Sequence, residues 1–249
     1  GFNHNAQALR IMELLEVRYP HFPGLNLSRE VLDAQATRKK DGTAPAPLLE
    51  AQVVDAADSI AYDTHDADDA VELGLVPLEE LLELPLVAAA AARLADRQGR
   101  LAGKALRHAV LHEIVDEQVA DLVRSTRAAL DERGVDSVAR VRDAFTGADG
   151  GSPGRLVVHA PAVAAGKREL EKFLFARVYR SPLVLAAREP AQARLTRLFE
   201  WYCGHPDALP PKFRARAAES GTRRSVADYL AGMTDRYLER DCEARLGAT

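Results

Sequence analysis

Apolar residues recur at helical spacing along most of this chain. Leu9, Ile11, Leu14 and Leu15 keep to one side of a helix over residues 7–19, which Pro20 and Pro23 bring to an end. Ser28 stands where a cap is wanted for a helix carrying Val31 and Leu32. The polar stretch TRKKDGTAPAP, residues 37–47, predicts a loop, and a long helix follows over about 48–73, entered after Pro47 and left near Gly74. Pro77 and Leu78 open another, which runs into an alanine-rich stretch at 84–95 whose composition favours a buried helix. The longest helical pattern covers roughly 102–133. GADGGSPG, residues 147–154, is the clearest breaker and predicts a flexible loop. RLVVH, residues 155–159, is the one short run resembling a strand, and helical spacing returns at 164–178, 190–202 and 225–245. The expected fold class is all-α.

The helix at 48–73 has two faces. Successive residues turn by about 100°, so Asp55, Asp58, Tyr62, His65, Asp66 and Asp69 fall within an arc of roughly 100°. Leu49, Val53, Ala56 and Ile60 gather on the other side as the expected core stripe. The acidic side breaks a local rule. Asp66, Asp68 and Asp69 lie near the C-terminal end, where the helix dipole is already negative, and like charges four residues apart repel. Either the row is simply solvated, or something cationic neutralises it: a metal ion, or a group of basic side chains.

Composition narrows the function classes. Of the 249 residues 47% are hydrophobic and 28% charged, ordinary values for a soluble globular protein, and one or two domains are both possible. No apolar run approaches the ~20 residues that span a bilayer, and no signal-peptide pattern is present. Two cysteines, Cys203 and Cys242, make a disulfide framework implausible and point to a cytoplasmic setting. A net charge of -4 argues against nucleic acid as the main partner. No G-x-S-x-G, Walker or dinucleotide glycine pattern occurs, so serine-nucleophile and nicotinamide chemistry lack support. His108 and His112, four apart on a helix, have a metal-compatible spacing but no evident third ligand, and read as surface histidines. His4 at a helix start reads, alone, as a capping or structural group. The 167–179 helix carries Lys172 and Arg177 beside an apolar stripe of Phe173, Leu174 and Val178.

Four stretches in order, GFNHNAQALRI, EAQVVDAADSIAYDTHDADDA, LEKFLFARVYRSPLV and DYLAGMTDRY, resemble the deoxyguanosinetriphosphate triphosphohydrolases and dGTPase-like proteins of the HD-domain superfamily, from residue 1 to about 240. The resemblance implies an HD-type helical bundle with a helical C-terminal extension. Residues 1–146 would be the C-terminal portion of the catalytic domain, 147–154 a flexible loop, and 155–249 a helical region packing on the same domain. It implies hydrolysis of a deoxynucleoside triphosphate to deoxynucleoside and tripolyphosphate, with a divalent metal ion (Mg, Mn or another transition metal) as cofactor. Asp58 matches a metal-ligating aspartate. Tyr62 and Asp66 match residues lining the nucleotide pocket, and Tyr179 a tyrosine against the deoxyribose. His4 matches a histidine beside the reacting phosphate, and Lys39, more loosely, a phosphate-binding lysine. Lys172 and Arg177 are further candidates for offsetting the triphosphate charge. Homo-oligomers, contacts through the apolar helices at 84–130, and regulation by a second nucleotide or single-stranded DNA follow from the same likeness.

The chain departs from the family pattern in one respect. The first histidine and the His-Asp pair of the family's metal site belong upstream of GFNHN, and the chain reads as a sequence entered partway through a domain. Asp58 is then one ligand of four, and this chain alone is expected to be inactive or metal-free. The rival expectation is a non-catalytic relative that binds nucleotides or regulates.

Overall fold

The structure, a computed structural model, describes residues 3–37, 46–151 and 154–247. Among these it contains twelve α-helices, two π-turns and no strand, as expected of an all-α chain. It divides into two compact units, Gly1–Tyr179 and Arg180–Thr249.

In the first unit, α1 (His4–Arg10) starts on Asn3, whose side chain accepts from the backbone N–H groups of Asn5 and Ala6 at 3.0 and 3.1 Å. It passes into a π-turn, Ile11–Leu15, and stops there, short of the expected residue 19. The chain then doubles back so tightly that Gly24, with φ +70°, lies where a Cβ would sit 2.2 Å from the Met12 carbonyl oxygen. Only glycine fits that approach. α2 (Arg29–Thr37) packs on α1.

The remaining helices of this unit are α3 (Leu49–Glu72), α4 (Leu78–Leu82), α5 (Pro85–Gln98), α6 (Gly103–Glu132), α7 (Val138–Thr146) and α8 (Pro161–Leu174). α3 and α6 match expectation to within a residue at each end. α5 is the expected buried alanine-rich helix, but it does not run on from the helix opened at Leu78, because Pro85 starts it anew after a break at 83–84. Its Leu86, Val87, Ala90 and Leu94 share a core with Val110 and Ile114 of α6, and with Leu170 and Leu174 of α8. These residues of the 84–130 region are buried within one chain, whereas Val119 and Val123 of α6 are exposed.

One expectation about the 147–159 region is corrected, that of a strand at its end. Before it, Arg133 reaches the described part of the glycine-rich segment. Arg133 donates through Nε and Nη2 to the Asp149 carboxylate at 2.8 Å each, and through Nη2 to the Ala144 carbonyl at 3.1 Å. Residues 155–159 form no strand. The backbone donors of Leu156 and Val157, which a strand would spend on a neighbouring strand, go to a side chain of α3.

α8 does not end where α-helical bonding ends. It runs on through a π-turn, Phe175–Tyr179, the last residues of the first unit, so residues 155–179 fold with that unit. The second unit holds α9 (Pro182–Gly204), α10 (Pro211–Ser220), α11 (Thr222–Leu230) and α12 (Asp235–Leu246). The single helix expected over 225–245 is broken because Thr234 caps α12, its hydroxyl accepting from the Tyr237 N–H at 3.3 Å. Leu198, Tyr202, Phe213, Val226, Leu230 and Leu238 form a core of their own.

Candidate functional site

The face that α3 turns inward is more polar than its sequence suggested. Gln52, Ile60, Asp63, Thr64, Ala67 and Ala70 are buried, whereas Val53, expected in the core stripe, is 45% exposed. Each buried polar group has its bond, as burial demands. Gln52 donates to the Pro47 carbonyl at 3.2 Å and accepts from Leu156 and Val157 N–H at 2.8 and 3.3 Å. The Thr64 hydroxyl donates to the Ile60 carbonyl at 2.9 Å. Asp63 takes a charged hydrogen bond from Lys167 of α8, and Lys167 also donates to Glu171 at 2.8 Å.

Several acids of α3, only some of them in the acidic row, are neutralised by basic side chains of the same chain. Arg155 pairs with Asp55 at 2.8 Å, Lys167 with Asp63, and Arg107 of α6 with both Asp68, at 3.0 Å, and Glu72. The cations that the resemblance offered for the triphosphate charge are not among these. Lys172 is exposed, Arg177 turns to Glu80 at 2.7 Å, and Lys39 lies outside the described residues.

Asp66 is different. It has no ion-pair partner among the described residues, and it accepts a hydrogen bond from the Tyr179 hydroxyl. The π-turn explains how Tyr179 comes to face α3. In a regular helix, at about 100° per residue, Tyr179 would point roughly 120° away from the direction of Lys167. Over the five residues where bonding runs i→i+5, the advance falls to roughly 80° per residue, which returns Tyr179 to within about 30° of that direction. Burial raises the Tyr179 phenol well above its ordinary range, and the bond to Asp66 adds to the shift. The charges of Asp66, Asp63 and Tyr62 act in the same direction, which marks these four groups as one electrostatic neighbourhood. Burial likewise raises the Asp63 carboxyl, against the opposing pull of Lys167.

The structure thus brings Tyr62, Asp66 and Tyr179 together. Tyr62 is 62% exposed, and Asp58 is partly buried one turn before it. His4 stands exposed at the start of α1 and makes no hydrogen bond to this group. Sequence reasoning missed Lys167 and Asp63. The signal was available, since Lys167 sits on the apolar stripe of its helix with Leu170 and Leu174, a place where a lysine needs a partner.

Among the described residues no group of three or more His, Cys, Asp or Glu side chains is placed to hold a metal ion. His65, Asp68, His108 and His112 line an open groove of about 220 Å³ between α3 and α6, without converging on a common point. His108 Nε2 lies 3.2 Å from the Arg107 guanidinium, which can only donate, so that nitrogen is an acceptor already engaged.

Comparison with known proteins speaks to the family. Residues 157–244 match a phosphohydrolase-associated domain. A deoxyguanosinetriphosphate triphosphohydrolase-like protein of Deinococcus deserti is 40% identical over 238 residues, 95% of this chain and 60% of that protein. Proteins of the same description from Thiobacillus denitrificans and Geobacter sulfurreducens are each 35% identical, over 97% and 95% of this chain and 65% and 62% of their own lengths. The chain spans about three fifths of the length of the curated relatives it matches. Over nearly its whole length its sequence is similar to the deoxyguanosinetriphosphate triphosphohydrolase-like proteins.

Proposed function

We propose that this chain forms the sugar-facing wall of a deoxynucleoside triphosphate site in a phosphohydrolase that releases deoxynucleoside and tripolyphosphate. The observation that carries it is the Tyr179–Asp66 hydrogen bond beside Tyr62. A tyrosine ring offers an apolar face to the C2′ methylene of a deoxyribose. A ribose would bring a hydroxyl against that ring face, which returns no hydrogen bond to it. A desolvated hydroxyl left unpaired costs about 1–3 kcal/mol. That penalty favours dGTP or another dNTP over its ribo counterpart.

The triphosphate charge must be offset. Lys39 is offered for this on its motif alone, as is His4 for the group beside the reacting phosphate. A divalent ion (Mg, Mn or another transition metal) would polarise the phosphate oxygens and lower the pKa of a bound water. Asp58 is its one matched ligand, and no second or third ligand is assigned to it from the described residues. The second reading, nucleotide binding without turnover, draws its support from that incomplete donor set. Assembly into homo-oligomers and regulation by a further nucleotide or single-stranded DNA belong to the same proposal. No helix of the described residues is long and apolar enough to cross a membrane, and the cytoplasmic setting rests on the two free cysteines.

The test is equilibrium binding of dGTP and GTP to the chain with and without Mn²⁺, with product analysis of the same mixtures. Binding of dGTP tighter than GTP by roughly tenfold or more is expected, the ratio collapsing in Tyr179→Ala. Equal affinities overturn the proposal. Appearance of deoxyguanosine and tripolyphosphate selects the hydrolase; binding without products is what a chain with one matched metal ligand should give under either reading.

A further inference from the structure

We propose that the buried Lys167–Asp63 pair is a positioning device: it fixes the rotation of α8 against α3 and thereby sets Tyr179 on Asp66, and with it the preference for deoxyribose over ribose. The selectivity half of this inference rests on the nucleotide site proposed above.

Both partners are buried, Lys167 on α8 and Asp63 on α3. Burying two charges is costly, and an apolar pair of similar volume often serves stability as well or better. What an ion pair adds is direction. Apolar side chains can slide or roll past one another at small cost, whereas an ammonium steadied on α8 by Glu171 and bonded across to Asp63 of α3 tolerates only a narrow range of rotations of α8. The pair is tied to the site at both ends. On α3, Asp63 and Asp66 are three residues apart and so lie on neighbouring positions of one side. On the other strut, α8 continues without a break through the π-turn, which brings Tyr179 back to the direction of Lys167. A roll of α8 about its axis would therefore carry the Tyr179 hydroxyl off Asp66 in the same movement. α8 is also seated closely on α5, where a Cβ at Gly166 would meet the Leu86 Cβ at 3.2 Å, so its distance from the core is set independently of the pair. The ion pair governs rotation.

Lys167 is a positioning residue, and its test separates positioning from plain stability. In Asp63→Asn/Lys167→Met both charges are removed, so no buried ion is left alone. Two readouts are taken on the full chain: amide hydrogen exchange along residues 161–179 without nucleotide, and the ratio of dGTP to GTP affinity. Expected is exchange roughly tenfold faster at 175–179 with 161–174 unchanged, and a fall in the affinity ratio. Unchanged exchange at 175–179 overturns the proposal, as does uniform acceleration along 161–179, which would make the pair merely structural. Glu171→Gln, at the more exposed end of the lysine's contacts, keeps the test open should the double variant fail to fold. A smaller change confined to 175–179 is then expected, and none at all overturns it. Should the unaltered chain not discriminate dGTP from GTP, the nucleotide site fails on its own, and local exchange alone decides whether Lys167 holds Tyr179.

Discussion

Each unit of this protein contains a tyrosine that donates to an aspartate, and the two differ in everything around the bond. In the second unit the Tyr202 hydroxyl donates to Asp241 at 2.6 Å. Tyr202 is 0% exposed, its ring meets Trp201 and Tyr229 edge-on at 5.0 and 5.3 Å, and Arg245 stands 3.5 Å from the same aspartate. In the first unit Tyr179 is 40% exposed, and its aspartate, Asp66, has no cation of its own among the described residues. Both phenols are pushed upward, by burial first and by the neighbouring carboxylate second. The bond alone therefore does not separate the two; its surroundings do. A tyrosine–aspartate pair closed in by aromatic rings and balanced by an arginine is part of a core. The same pair left open, with its charge unbalanced and further acids nearby, has capacity for a ligand.

Truncation should separate the two most sharply. Tyr202→Ala removes a large side chain from a closed core and is expected to cost about 3–5 kcal/mol. Tyr179→Ala removes a half-exposed ring and is expected to cost no more than about 1 kcal/mol. Urea unfolding of the two variants checks this. Equal losses would mean that Tyr179 is as much a core residue as Tyr202, and the contrast would be lost.

The parts of the fold that follow from periodicity were legible in the sequence. α3, α5 and α6 lie close to where the apolar spacing put them, because each turns one broad face to a core. The parts decided by single polar residues were not. RLVVH has the composition of a strand, but Gln52 takes its backbone donors, and a glutamine on a helix gives no sign of a partner a hundred residues away. Val53 was expected inside and lies outside, because the buried stripe of α3 passes through Gln52, Asp63 and Thr64. At the site, Asp66 and Tyr179 came from motif resemblance, and helix geometry alone put Tyr62 and Asp66 on one side. No regular-helix argument could bring Tyr179 to them. A π-turn changes the angular register by one residue and has no reliable signature in composition.

Gln52 gives the next test of how the α3 seam differs from the aromatic core of the second unit. Gln52→Leu keeps the volume and removes the polar end, so the N–H groups of Leu156 and Val157 and the Pro47 carbonyl lose their partner. A cost of about 2 kcal/mol is expected, below that of Tyr202→Ala, because unpaired buried backbone groups and not a cavity carry the penalty. Hydrogen exchange at 155–159 should accelerate in step. A neutral substitution would show that water replaces the glutamine there, and that the seam is held by apolar contact after all.

The smallest expected effect concerns pH and tests what sets the state of Asp63. Its carboxyl lies above the ordinary 3.8 in the folded protein, because burial outweighs the pull of Lys167. Between the unfolded and folded values the native state therefore holds more protons than the unfolded chain, and stability contributed by this group declines as pH rises through that window. The carboxyls of Glu72, with Arg107, and Glu113, with Arg93, are held below their ordinary range and contribute in the opposite sense, with stability lost as pH falls. Subtracting Asp63→Asn from the unaltered protein removes their part. The difference in urea midpoint is expected to drift against the unaltered protein from about pH 4 upward and then level off. A drift in its favour would mean that Lys167 outweighs burial. The ion pair would then be holding α8 to α3 by net attraction, as Arg245 balances Asp241 in the second unit, and the two units would be closer in construction than their tyrosines suggest.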